Sequence, residues 1–120
     1  MEISGQAVLL RIFIGESDKL GHVPLFEAIV KQARDAGLAG ATVLKGVLGF
    51  GASARIRTTK ILDLSADLSM VVEIVDEESK VEAFQHQLKG FFDQANCGGL
   101  VTLEKVRVIH YVPEKGGALK

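Results

Sequence analysis

The sequence has little of the material from which disulfides, membrane spans or metal sites are built. Among its 120 residues there is one cysteine, Cys97, and there is no tryptophan. A single cysteine cannot form a disulfide within the chain, which favours a reducing compartment. No apolar run approaches the roughly 20 residues of a membrane span, and the N-terminus lacks the features of a signal peptide. We therefore expect a soluble, cytoplasmic protein that is not inserted in a membrane.

Charge and residue spacing also carry few signals for nucleic-acid binding, metal binding or catalysis. The net charge is −1, whereas nucleic-acid binders usually carry a strongly basic face. The histidines His22, His86 and His110 do not have the spacing of metal ligands, and one cysteine cannot complete a zinc site. Cys97 follows a predicted helix at its C-terminal end, where the helix dipole does not activate a thiol. We expect no metal and no nucleic-acid partner, and we predict that the chain is not an enzyme.

Apolar residues are abundant, at 48% of the chain, and the length fits a single domain. We place this domain at residues 1–112, followed by a flexible tail at residues 113–120. Alternation over residues 6–14 predicts a first strand whose two faces are both largely apolar. One face carries Val8, Leu10, Ile12 and Ile14, and the other carries Ala7, Leu9, Arg11 and Phe13.

Apolar periodicity and end signals predict the remaining elements. A polar loop at residues 15–21 leads to a helix over residues 22–36, and a second helix is capped by Asp76 and ended by Asn96. Further strands are predicted over residues 41–48, 69–75 and 100–112, with a short extended piece at residues 61–64. The apolar residues of the last strand change faces, which predicts a bulge near residues 104–105.

The predicted order, β-α-β-β-α-β, is that of the α+β ferredoxin-like sandwich. Its four-stranded antiparallel sheet has two helices on one face, so the other face remains uncovered. The apolar residues of that face would form a patch too large for a monomer. We therefore expect the chain to associate with itself through the open face of the sheet.

The candidate binding site is a long loop over residues 49–60. Gly49 and Gly51 permit close approach of the backbone to a ligand, while Arg55, Arg57 and Lys60 can bind phosphate or carboxylate groups. No carboxylate lies between Gly49 and Leu62. A loop of this length is uncommon in a small domain unless it is functional or disordered. The alternative interpretation is a solvated excursion whose charges only maintain solubility.

Several blocks of the sequence resemble a known family. A strand with Thr42 and Val43, followed by Gly49, Phe50 and Gly51 at the start of a long loop, resembles the PII signalling proteins. Over most of the chain the pattern is closer to the PII-like proteins of unknown function, some of which occur beside or fused to fluoride-channel-type membrane proteins. The matching blocks are RIFIGE (residues 11–16), PLFEAIV (24–30), AGLAGATVLKG (36–46), GFG (49–51), VVEIVD (71–76) and GLVTLEKVRV (99–108).

The resemblance implies a homotrimer with its sheets facing inward and nucleotides bound in clefts between subunits, near the base of the loop. By position, Gly49, Phe50 and Gly51 would stand at that base, with Arg55, Arg57 and Lys60 on the loop. The loop would contact a partner such as a membrane transporter or channel. The chain departs from PII proteins at residues 96–101, which lack the glycine-rich turn with lysine, and its single tyrosine, Tyr111, lies outside the loop.

Three functional hypotheses follow. The first is a PII-like regulatory protein for signal transduction, which binds a nucleotide or small anion and has no catalytic turnover. The second is a small ferredoxin-like enzyme such as an acyl-phosphate hydrolase, although Glu16 and Asp18 follow the first strand where a phosphate-binding loop would be needed. The third is RNA binding on the sheet, for which Phe13 is a lone aromatic candidate.

Overall fold

The computed structural model describes residues 5–51, 54–59 and 67–113. Its elements, in chain order, are β1 Gln6–Gly15, β2 Lys19–Leu20, β3 Val23–Pro24, α1 Leu25–Asp35, β4 Thr42–Lys45, β5 Leu48–Gly49, β6 Arg57–Thr58, β7 Ser69–Asp76, α2 Glu78–Ala95 and β8 Leu100–Arg107. Neither described helix is long and apolar enough to cross a membrane. Lys60, the extended piece expected at residues 61–64 and the tail from residue 114 onward lie outside the described residues.

The main sheet has four strands in the order β4-β7-β1-β8, and every neighbouring pair is antiparallel. The two long outer connections contain α1 and α2, and both helices pack on the same face of the sheet. This arrangement confirms the predicted ferredoxin-like fold. It also places the central strand β1 between β7 and β8, where it pairs along nearly its whole length.

The core lies between the helices and one face of the sheet. Val8, Leu10, Ile12 and Ile14 on β1 are no more than 5% exposed, as the alternation of the sequence predicts. Leu10 faces Ile74 on one neighbouring strand and Leu103 on the other. The helices contribute Leu25, Ile29, Ala33, Val81, Phe84 and Leu88 to the same cluster. Burial of this apolar surface is the main force that holds the layers together.

The opposite face, which we term the open face, has no layer of the chain above it among the described residues. Arg11 lies at its centre and forms ion pairs with Glu73, at 2.8 Å, and with Glu104. Hydrogen bonding to Glu73, with the negative charge of Glu104, raises the pKa of the Arg11 guanidinium. Apolar side chains flank this charged row, including Leu9 and Phe13 on β1, which are both half-buried.

Helix α1 begins three residues later than the sequence indicates, at Leu25 rather than His22. Residues 19–24 form a small hairpin instead, in which Leu20 pairs with Val23 and Gly21 adopts a φ of 66°. The expected polar loop is therefore partly strand. A turn with positive φ followed by proline favours this hairpin over an additional helical turn.

Asp76 was expected to cap α2, but Glu77 occupies the N-cap position and Asp76 is the last residue of β7. The Asp76 side chain is fully buried. It accepts hydrogen bonds from the backbone N–H of Ala39, at 2.9 Å, and of Glu77, at 2.7 Å. It thus joins the loop after α1 to the start of α2. At the other end, α2 stops at Asn96 in a left-handed conformation, as predicted.

Two strand predictions are wrong in detail. The strand expected over residues 41–48 divides into β4 and β5, because Gly46 lies between them and bonds through its N–H to the carbonyl of Ser69. The bulge expected near residues 104–105 is absent: β8 pairs with β1 in one continuous register and ends at Arg107, short of residue 112. Its apolar residues change faces because β8 is an edge strand with Val106 on the open face.

Candidate functional site

A pocket of about 470 Å³ opens at one end of the sheet, where four segments of the chain meet. The end of β1 and the turn after it form one wall, and the start of β7 forms another. The base of the predicted loop and the turn before β8 complete the pocket. Its lining residues are Phe13, Ile14, Gly15, Asp18, Phe50, Gly51, Arg57, Asp67, Ser69, Gly98, Gly99 and Leu100.

The segment predicted as one long loop begins and ends as a two-stranded hairpin. In this β5–β6 hairpin, Leu48 pairs with Thr58 and Gly49 with Arg57. The N–H of Thr59 also donates to the carbonyl of Val47 at 3.0 Å. The base of the segment is therefore fixed by backbone hydrogen bonds, which set the direction in which Arg57 enters the pocket.

The structure separates the predicted site residues into three groups. Phe50, Gly51 and Arg57 line the pocket. Gly49 contributes a hairpin pair at its edge, and Arg55 is exposed and does not line it. Lys60 lies outside the described residues.

Arg57 is anchored to the segment that leads into β7. Its Nη1 donates to Oδ2 of Asp67 at 2.9 Å and to the backbone carbonyl of Asp67 at 3.0 Å. The Arg57 and Asp67 side chains are only 26% and 20% exposed. Partial burial strengthens such a pair relative to one on an open surface.

Two carboxylates at the pocket were not singled out as site residues from the sequence. Asp67 Oδ1 accepts the N–H of Ser17 at 2.7 Å, and Asp18 Oδ2 accepts the N–H of Gly15 at 2.8 Å. A Cβ at Gly15 would lie 3.0 Å from Asp67 Oδ2, so glycine lets this carboxylate approach. The turn after β1 thus gives backbone donors to the protein's own carboxylates. This arrangement opposes an acyl-phosphate site at that turn, which would need those donors for the substrate.

Gly98 and Gly99 bring the turn before β8 into the pocket wall. A Cβ on Gly99 would lie 2.7 Å from Cε1 of Phe92 and 3.1 Å from the carbonyl of Phe13, whereas a Cβ on Gly98 would meet nothing within 4 Å. The sequence marked these residues as a departure from the PII turn because lysine is lacking. Their position beside Phe50 and Arg57 could be found only from the fold.

The remaining chemistry-bearing side chains do not assemble a second centre among the residues that the structure describes. Burial raises the pKa of the Cys97 thiol, with a contribution from the charge of Asp18, so the neutral thiol is favoured. Within residues 5–51, 54–59 and 67–113, no three His, Cys, Asp or Glu side chains come together as a metal site would require.

The fold and the position of this pocket define a PII-like domain. The structure is similar to CPII, a nitrogen regulatory PII-like protein from Thiomonas intermedia K12 solved with ADP, AMP and bicarbonate: the TM-score is 0.64, the identity 17%, and the match covers 86% of this chain and 88% of that one. It is also similar to a PII-like signalling protein from Thermus thermophilus, with a TM-score of 0.63, 16% identity, and coverage of 91% and 94%.

Sequence comparison identifies the family. The model of DUF190, described as "Uncharacterized ACR, COG1993", matches residues 7–108. A UPF0166 protein from Aquifex aeolicus is 39% identical over 102 residues, which are 85% of this chain and 92% of the relative. The UPF0166 protein MJ1524 from Methanocaldococcus jannaschii is 33% identical over 76 residues, covering 63% and 69% of the two chains. The chain belongs to the DUF190 (UPF0166) family.

Proposed function

We propose that this protein is a PII-like regulatory protein without catalytic turnover, which acts as a homotrimer in the cytoplasm. It binds a nucleotide or another small anionic ligand at the pocket, in a cleft completed by a neighbouring subunit. The β5–β6 hairpin, with Arg55 and Lys60, then contacts a partner protein such as a membrane transporter or channel. The observation that carries the proposal is the meeting of Phe50, Gly51 and Arg57 with Gly98 and Gly99 in one pocket.

The lining of the pocket suits a ligand with a flat ring and a polar group. Phe13 and Phe50 both supply aromatic surface to the lining, and aromatic rings stack favourably on planar heterocycles. Gly98 leaves space for close approach of a ligand to the backbone. The CPII structure with ADP, AMP and bicarbonate provides the choice of ligands to test first.

The open face supports self-association. Leu44 and Leu100, on the two edge strands, are 49% and 57% exposed. They flank half-buried apolar residues of β1 and β7 on the same face. A contiguous apolar face of this kind is typical of an interface. Phe13 and Leu100 belong both to this face and to the pocket lining, so a second copy seated on the face would also border the ligand.

The hairpin is suited to contact another protein. Its exposed apolar side chains are Val47, Leu48, Phe50 and Ile56, each more than 60% exposed. Such side chains on a projecting hairpin provide contact area that is not used within the described chain. Because Arg57 joins the hairpin to the pocket, occupation of the pocket can change the position of this surface.

The test is thermal stability of the purified protein with ATP, ADP, AMP, cyclic nucleotides, bicarbonate and fluoride. A ligand at 100 times its Kd stabilises the native state by about 2.7 kcal/mol, which raises the midpoint by several degrees. Arg57→Ala should lose most of this increase, measured from its own midpoint. Arg55→Ala is the matched control, because the same side chain is removed outside the pocket lining.

An increase that is equal in wild type and Arg57→Ala would place the ligand elsewhere. No increase with any compound would argue against ligand sensing and leave protein contacts through the hairpin. Turnover of an acyl phosphate by the pure protein would restore the enzyme alternative. Light scattering of the eluted protein tests the trimer directly.

A further inference from the structure

The charges at the pocket do not favour an anion in the arrangement that the structure shows. Among the described lining residues, the charged side chains are Arg57, Asp18 and Asp67, one cation against two carboxylates. Arg57 Nη1 is in contact with both Oδ2 and the backbone carbonyl of Asp67. A phosphate or carboxylate that approached this nitrogen would meet a carboxylate of the same charge already bound to it. Both would be attracted to the guanidinium, and they would repel each other at close range.

Asp67 has a second partner that remains when Arg57 is removed from it. Its Oδ1 accepts the N–H of Ser17 at 2.7 Å, independently of the Oδ2 contact with Arg57. The carboxylate can therefore stay on the turn after β1 while the guanidinium turns to another anion. Arg57 is held from the other side by the backbone pairing of the β5–β6 hairpin, so its backbone position does not depend on Asp67 alone.

We propose that Asp67 is an internal counter-ion that competes with the ligand for Arg57. Before a ligand binds, the protein's own carboxylate satisfies the guanidinium, and an anionic ligand binds by taking the place of that carboxylate. The exchange releases the contact that joins β6 to the segment leading into β7. This inference rests on the proposed function, since it concerns regulation of the same pocket.

Competition has a consequence opposite to that of a positioning role. If Asp67 only positioned Arg57 for a ligand, its removal would weaken ligand binding. If it competes, its removal strengthens binding, because the apparent Kd equals the intrinsic Kd divided by the fraction of molecules in which Arg57 is available. An arginine that is available in about one molecule in ten gains about tenfold in affinity when the competitor is removed.

The experiment compares Asp67→Asn with Asp18→Asn by calorimetric titration with inorganic pyrophosphate and, separately, with ADP. In Asp67→Asn the amide retains an oxygen for the N–H of Ser17 but places no charge on Arg57. Asp18→Asn removes the same charge from the same pocket and leaves the Arg57–Asp67 pair intact. We expect Asp67→Asn to bind pyrophosphate about tenfold more tightly than wild type and Asp18→Asn to gain roughly twofold from the reduced negative charge alone. Arg57→Ala in the Asp67→Asn background should abolish the gain.

Each outcome decides one of the two proposals. A weaker or unchanged affinity in Asp67→Asn, or equal gains in the two Asn variants, overturns the competition. If ADP binds equally to wild type and Asp67→Asn, the ligand site stands and the counter-ion role fails. If no variant binds ADP but Asp67→Asn binds pyrophosphate more tightly than wild type and Asp18→Asn, the counter-ion role stands and the nucleotide proposal fails.

Discussion

Alternate residues of β1 face two different environments. Leu10 and Ile12 are completely buried beneath the helices, whereas Leu9 and Phe13, on the same strand, are only half-buried on the open face. The helix-covered face is apolar along the whole strand, but Arg11 interrupts the open face and is bound there by Glu73 and Glu104. One face is completed by the chain itself, and the other has the composition of an interface with a charged row that must be matched.

The largest effect that separates the two faces is expected from a matched pair of leucines. Leu10→Ala should lower the free energy of unfolding by about 3 kcal/mol, because it removes a fully buried side chain and leaves a cavity. Leu9→Ala should lower it by only about 1 kcal/mol within a single chain, since Leu9 is already partly exposed. Urea unfolding at several protein concentrations measures both.

The concentration dependence distinguishes the two positions. The cost of Leu10→Ala should be the same at every concentration, whereas that of Leu9→Ala should include a loss of self-association. Equal costs at a concentration where both variants are monomeric would show that the open face is packed as tightly as the core.

A smaller effect is expected where α2 meets the edge of the open face. Gly99→Ala should cost about 1–2 kcal/mol, because its Cβ would overlap the Phe92 ring and approach the carbonyl of Phe13. Gly98→Ala is the control, and its cost should stay within about 0.5 kcal/mol because there is open space around that position. Thermal unfolding of the two variants checks this, and a Gly98→Ala variant as unstable as Gly99→Ala would contradict it.

The smallest effect on the stability of the single chain, and a clear effect on assembly, is expected at Arg11. Arg11→Met keeps an unbranched apolar side chain but leaves Glu73 and Glu104 without their shared cation. Removal of one partner of a charge pair in an interface is costly because the other charge remains uncompensated. We expect sedimentation to show dissociation of Arg11→Met and partial recovery in the Arg11→Met, Glu73→Gln double variant. Recovery by the second substitution excludes simple misfolding, and assembly unaffected by Arg11→Met would remove the charged row from the interface.

Much of the fold follows from the sequence because its signals are local or periodic. The alternation of β1 assigns Leu10 and Leu9 to opposite faces, and Asn96 ends α2 as a left-handed residue should. The predicted bulge in β8 failed because apolar alternation assumes one buried face, while an edge strand beside an open face can carry apolar residues such as Val106 on either side.

The site could be predicted only in part because its contacts join segments that are distant in sequence or lack a motif. The glycines, Phe50 and Arg57 were visible as an unusual combination within one loop. The partner of Arg57 was not, since an aspartate ten residues away has no periodic relation to it. The β5–β6 hairpin was also missed, because two pairs of residues are too short to produce alternation.

The hairpin has a consequence for how such proteins diversify. The pairing of Leu48 with Thr58 and of Gly49 with Arg57 forms a neck between the sheet and the chain that follows Phe50. The described residues between the two strands of this neck are not part of the four-stranded sheet. Substitutions, insertions or deletions there leave the register of β4 and β7 untouched. Evolution can therefore exchange the recognition segment in a lineage while the folding unit is inherited unchanged, and the same position is a natural place to graft a binding peptide.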